Sequence, residues 1–178
     1  TAARGLIRTN ADKLGVIEAL LDVVDGLIVD VGPELGSGRE EVDARGLLLL
    51  PGAIDAHVHL NDPGRAEWEG FATGTAALAA GGVTCAIDMP LNSDPPTIDG
   101  AAFDAKVAAA RGHARVDYAL WGGIVPGDLD RLDELAERGV VGFKAFMCPS
   151  GLHDFPMADE RTLAKGMARA AVLGLPVA

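Results

Sequence analysis

Two histidines close an apolar run at spacing two, in Ile54-Asp55-Ala56-His57-Val58-His59. Side chains two apart on a strand point the same way. Both imidazoles therefore face one side, within reach of one cation. A lone histidine in such a run is more simply a core residue with its hydrogen bonds met. A His-X-His pair at a strand end points to metal binding. Asp55 shares the same face, where two roles are open: orienting a ligand as an outer carboxylate, or making a structural hydrogen bond.

Lys144 is the second chemically unusual residue. It interrupts Val140-Val141-Gly142-Phe143-Lys144-Ala145-Phe146-Met147, otherwise an apolar strand. Burying an unpaired ammonium is costly, so the amine must be paired, neutralised or modified. Snorkelling from a strand end is the simpler alternative. A neutral amine can also add carbon dioxide and become a carbamate, whose two oxygens can bridge two cations. Asn92 follows a further apolar run. His57, His59, Lys144 and Asn92 all fall near the C-terminal ends of predicted strands, the edge where α/β folds build their sites.

The elements that position them change in texture near residue 50. Leu14–Val31 alternates short apolar runs with acids, and Asp25-Gly26 between two runs predicts a hairpin. Residues 1–50 are expected to form a small β segment. From Leu47 onward, predicted strands Leu47–Leu60, Val83–Met89, Val116–Val125 and Val140–Met147 alternate with predicted helices. The helices span Glu67–Ala80, Asp99–Arg111, Asp128–Arg138 and Asp159–Leu173, with glycines at 81, 112, 139 and 174 just past them. Leu175–Ala178 reads as the start of another strand. Near-continuous apolar strands belong in a helix-covered parallel sheet. A doubly wound sheet and a TIM barrel both fit. The barrel needs eight units and about 250 residues, so residues 51–178 supply about half of one. The chain opens on Thr1 and closes inside an apolar run, and is expected to be the N-terminal part of a longer protein.

Composition narrows the functional classes. The 178 residues carry 15 basic and 26 acidic side chains, a net charge of −11, and 49% hydrophobic residues. That apolar content excludes a disordered chain. The acidity, without a Lys/Arg-rich run, argues against nucleic acid or an anionic membrane as partner. No stretch approaches the ~20 apolar residues of a membrane span, and no basic-then-apolar leader opens the chain. Two cysteines, Cys85 and Cys148, suit a reducing cytoplasm.

The nine residues from Pro51 to His59 resemble the opening signature of the amidohydrolase superfamily, in its cyclic-amide hydrolase branch of dihydroorotases, dihydropyrimidinases (hydantoinases) and allantoinases. Within the branch the chain most resembles the allantoinases. Three stretches carry this: Asn61-Asp62-Pro63-Gly64-Arg65-Ala66-Glu67-Trp68-Glu69-Gly70-Phe71, Asp88-Met89-Pro90-Leu91-Asn92-Ser93 and Gly142-Phe143-Lys144-Ala145-Phe146-Met147. Dihydroorotases usually carry Arg where Asn61 stands, and hydantoinases usually lack the Met-Pro-Leu-Asn string.

The resemblance implies the N-terminal half of a (β/α)8 barrel over residues 51–178, truncated in its fifth strand, after part of a small β-sandwich over residues 1–50. It implies two divalent metal ions, Zn²⁺ by expectation. His57 and His59 would hold the more buried ion, and Lys144 as a carbamate would bridge both. Two further histidines and the catalytic Asp would follow beyond Ala178, so the 178 residues alone are expected to be inactive. The implied reaction opens the cyclic amide of allantoin, a small-molecule substrate, to allantoate. The implied parent is a cytoplasmic homo-oligomer. A hydantoinase or dihydroorotase acting on a related ring is the alternative, and a metal-free scaffold homologue is a second.

Several residues are read less sharply. Asn92 either shapes the substrate pocket or caps a turn. His153 and Asp154 lie in the loop after the fourth predicted strand, near the rim or simply solvated. His113 is expected as a helix C-terminal partner, Cys85 as a small core residue, and Cys148 as a neighbour of the site without thiolate chemistry.

Overall fold

The computed structural model describes residues 2–7, 17–127 and 129–178. It divides into two compact units, Thr1–Pro51 and Gly52–Ala178. The first is a four-stranded sheet of β1 (Ala2–Ile7), β2 (Ile17–Val24), β3 (Leu27–Gly32) and β4 (Glu41–Leu48), in the order β3-β2-β1-β4. The hairpin expected at Asp25-Gly26 joins β2 to β3, with Val24 opposite Leu27. Both turn residues are left-handed, at φ 51° and 79°, as a two-residue turn matching strand twist requires. The part of this reading at Leu14–Val16 lies outside the described residues.

The second unit alternates β5 (Ala53–Val58), α1 (Phe71–Ala80), β6 (Val83–Asp88), α2 (Gly100–Ala110), β7 (Asp117–Gly123), α3 (Arg131–Arg138), β8 (Gly142–Lys144) and α4 (Glu160–Leu173). Its sheet runs β5-β6-β7-β8, every pair parallel. Val177 then bridges in parallel to Phe143 on β8, so a fifth segment continues the same progression. Doubly wound sheets reverse direction at a switch point. Five neighbours in unbroken chain order decide for the barrel, and the unit is the N-terminal half of a (β/α)8 barrel.

Helix boundaries follow local chemistry. Asp99 and Asp159 cap α2 and α4 by accepting from Ala102 N at 2.9 Å and Thr162 N at 2.7 Å. Gly139 and Gly174 end α3 and α4 in left-handed conformation, at φ 95° and 70°. Behind β7 and β8, Ile124, Leu132, Leu135, Val140, Phe143 and Ala170 form a buried cluster.

Four expected boundaries are corrected. Leu47–Leu60 is not one strand: it ends β4 at Leu48 and restarts as β5 at Ala53. Pro51 lacks the N–H a continuing ladder needs. The helix expected from Glu67 begins at Phe71, because Gly70 is extended and Asp62 Oδ2 accepts the Phe71 N–H at 2.8 Å. Val140–Met147 contributes only Gly142–Lys144 to the sheet. Past Lys144 the chain turns so that Phe146 packs edge-on against Phe155, centroids 6.0 Å apart. The helix expected from Asp128 starts at Arg131; Asp128 itself lies outside the described residues.

Candidate active site

The C-terminal ends of β5, β6 and β8 carry the polar residues singled out above. His57 is the penultimate residue of β5 and His59 follows the strand by one. Register slips between Asp55 and Val58, which breaks strict alternation beside the histidines. Their rings nevertheless stand together, with centroids 5.4 Å apart and planes at 57°. Of the two roles open to Asp55, the structure shows the structural one: its Oδ1 accepts the His57 backbone N–H at 3.1 Å.

His57 is exposed and His59 half-buried. Burial, first of all, holds the His59 ring below the ordinary histidine pKa. The Leu91 backbone opposes that, while the charges of His57, Lys106 and Lys144 add to it. His59 Nδ1 is buried without a hydrogen-bond partner. A neutral imidazole with an orphaned nitrogen, beside a second imidazole, suits a divalent cation. Among the described residues no group of three or more His, Cys, Asp or Glu side chains converges, so the pair is a partial donor set.

Lys144 is the last residue of β8 and half-buried. Its Nζ lies 5.3 Å from the Phe146 ring centroid, and its charge is among those acting on His59. Between β5 and β8, Trp121 Nε1 on β7 donates to Ala56 O at 3.2 Å, crossing the end of β6.

Two arrangements around these residues escaped sequence reasoning. The first is a buried ion pair: Lys106 Nζ on α2 lies 2.5 Å from Asp88 Oδ2 at the end of β6. Burial pushes the Asp88 carboxyl up to about 6, although Lys106 and the Leu60 N–H pull against it. The signal was present: Ala102, Lys106 and Ala110 are spaced by four and buried together, which places a lysine in the inward stripe of α2. The second is Arg65 in the loop after β5. Its guanidinium donates to Asn92 O at 3.1 Å, meets Asp154 Oδ2 at 3.1 Å, and lies 5.6 Å from the Trp68 ring.

Asn92 is half-buried and left-handed, at φ 76°, a conformation asparagine tolerates in turns. Asn61 and Ser93, in the loops after β5 and β6, are buried with Oδ1 and Oγ lacking hydrogen-bond partners. Asp154 joins the rim through Arg65, whereas its neighbour His153 is exposed. His113 is exposed past α2, its backbone N–H bound to Ala110 O. Cys85 is only partly buried, short of the core position expected, and Cys148 is exposed; both are free.

Comparison with known proteins narrows the field. The chain is 65% identical over 156 residues to an allantoinase of Rubrobacter xylanophilus, covering 87% of this chain and 34% of that one. It is 43% identical to an allantoinase of Arabidopsis thaliana over 162 residues, covering 86% and 32% respectively. Among solved structures it superimposes on an L-hydantoinase (dihydropyrimidinase) from Arthrobacter aurescens with a TM-score of 0.85 at 30% identity, covering 98% of this chain and 38% of that one. The chain thus spans about a third of the length of the curated relatives it matches. The amidohydrolase family, whose members generally bind divalent metals, matches residues 48–173. With paired histidines at the mouth of a half-barrel and most of its length matched, the chain belongs to the amidohydrolase family.

Proposed function

We propose that the protein carrying this sequence hydrolyses the cyclic amide of allantoin to allantoate. The observation that carries the reading is 65% identity to an allantoinase across 87% of the chain. The chain would supply the N-terminal part of that enzyme: residues 1–50 as part of a small β-sandwich and 51–178 as the first half of the hydrolase barrel.

On this reading His57 and His59 hold one divalent cation. Lys144, as its carbamate, would offer two oxygen donors for divalent cations at the same rim. Imidazole and carboxylate-type oxygen donors suit zinc. Ions held there supply Lewis acidity toward an amide carbonyl and toward water. Asp55 fixes the His57 backbone, which steadies the ring above it. Asn92, its carbonyl engaged by Arg65, offers its side-chain amide to the substrate ring. The remaining ligands and the acid–base carboxylate belong to the part of the relatives' length that this chain does not span. The net charge of −11 fits a small-molecule substrate rather than nucleic acid. Among the described residues no helix is long and apolar enough to cross a membrane; two free cysteines fit the proposed cytoplasmic setting.

The test is an assay of the full-length protein on allantoin, hydantoin and dihydroorotate, with metal analysis of the same sample. Ring opening of allantoin with bound zinc is the expected result. Turnover of hydantoin or dihydroorotate without allantoin overturns the substrate assignment. A purified protein without divalent metal overturns the mechanism.

A further inference from the structure

The ion pair at the end of β6 does more than neutralise two buried charges. Asp88 Oδ1 accepts the Leu60 N–H at 2.7 Å, and Lys106 Nζ donates to Leu60 O at 3.0 Å. Asp88 and Lys106 are joined through Oδ2 and Nζ at 2.5 Å. Both polar groups of one peptide-chain residue are thus gripped by the two members of a buried ion pair. Leu60 is the residue immediately after His59, and its own side chain is buried with Phe71 and Ala110.

Position makes this grip specific. β5 ends at Val58, so past that point the sheet ladder no longer fixes the chain. The last ladder contact there is Met89 N donating to Val58 O at 2.9 Å. The register slip after Asp55 loosens the ladder further. His59 lies between this slackened strand end and Leu60. Its backbone is therefore oriented from the C-terminal side by Asp88 and Lys106. A short apolar residue at position 88 and an alanine at 106 would have built a simpler core. A buried ion pair is weak evidence for stability, and the two hydrogen bonds to Leu60 give this one a positional task.

We infer that Asp88 and Lys106 are positioning residues that set the orientation of the His59 ring for metal binding by clamping the backbone of Leu60. The inference rests on the metal-site reading above. Neither residue is among the proposed metal ligands. Outer partners of a metal ligand commonly change affinity 10–100-fold when lost, and the same scale is expected here.

The experiment uses the full-length protein, stripped of metal and titrated with Co²⁺, with visible absorption and chelator competition as readouts and thermal melting as the folding control. Asp88→Leu with Lys106→Met removes both charges and both hydrogen bonds while keeping volume. Asp88→Asn with Lys106→Gln removes the charges but keeps an acceptor for Leu60 N and a donor for Leu60 O. The apolar pair should bind Co²⁺ about tenfold more weakly or worse, with a changed visible spectrum. The amide pair should recover most of the loss. Wild-type affinity and spectrum in the apolar pair overturn the inference. Should the apolar pair fail to fold, Asp88→Asn with Lys106→Met, which loses only the donor to Leu60 O, is compared with the amide pair. Weaker binding without the donor supports the clamp, and equal binding overturns it. His57→Ala with His59→Ala separates the two levels: undiminished Co²⁺ binding there overturns the metal-site reading itself, whereas lost binding there beside an unaffected apolar pair overturns the clamp alone.

Discussion

Lys106 and Asp88 face each other at 2.5 Å with side-chain exposures of 1% and 0%, one from a helix and one from the end of a strand. Removing Lys106 leaves the Asp88 carboxyl buried without its partner, where it must either stay charged at high cost or bind a proton. Lys106→Met should therefore cost about 3–5 kcal/mol. Denaturant unfolding of the full-length variant checks this, and a loss below about 1 kcal/mol, the ceiling for most exposed pairs, contradicts it.

The same pair predicts a pH dependence. Burial raises the Asp88 carboxyl from 3.8 to about 6 in the folded protein. Between those values the folded state holds a proton that the unfolded state has released, so stability falls as pH rises. Asp88's contribution is fully present below about 3.8 and lost as pH climbs through about 6. Asp88→Asn cannot titrate. The stability difference, wild type minus variant, should decline across that window and flatten above it. Unfolding free energies of both proteins from pH 4 to pH 7, held under metal-free conditions, provide the measurement.

For Lys144, the proposed carbamate gives a spectroscopic signature. Full-length protein equilibrated with metal and ¹³C-bicarbonate should show one slowly exchanging carbamate carbon signal. Lys144→Met should lack it and bind fewer metal ions per chain. An unlabelled wild-type lysine in a fully active enzyme contradicts the assignment.

A packing prediction concerns Gly123 at the end of β7. A Cβ there would lie 2.5 Å from Phe155 Cε2 and 2.7 Å from Ile98 Cγ2. Phe155 is fully buried, so it has little room to yield. Gly123→Ala should destabilise by about 1–3 kcal/mol through overpacking. A denaturant midpoint equal to wild type contradicts it.

Much of the fold was legible because its signals are local. Apolar runs separated by capped, alanine-rich stretches gave the parallel alternation, and Asp25-Gly26 marked its hairpin. Leu47–Leu60 was misread because an apolar run does not show where its ladder stops; Pro51 did, and had to be weighted above hydrophobicity. β8 was overestimated because Phe146 is apolar for packing on Phe155, not for the sheet. At the site, His57, His59 and Lys144 stood out as polar interruptions of apolar strands. Lys106 was marked only by its spacing of four from Ala102 and Ala110, a weak signal in a helix whose other faces are also rich in alanine. The meeting of Arg65 with Asp154 was beyond local reading: 89 residues separate them, and only closure of the sheet brings their loops together.

Arg65 joins the loop after β5 to those after β6 and β8, through Asn92 O and Asp154. Three segments thus share this fastening point, and Asp94 N donating to Pro63 O at 2.8 Å adds a second tie between the first two. The entropic cost of ordering them falls on folding, not on capture of a ligand. The rim is preorganised by bonds already made within the chain.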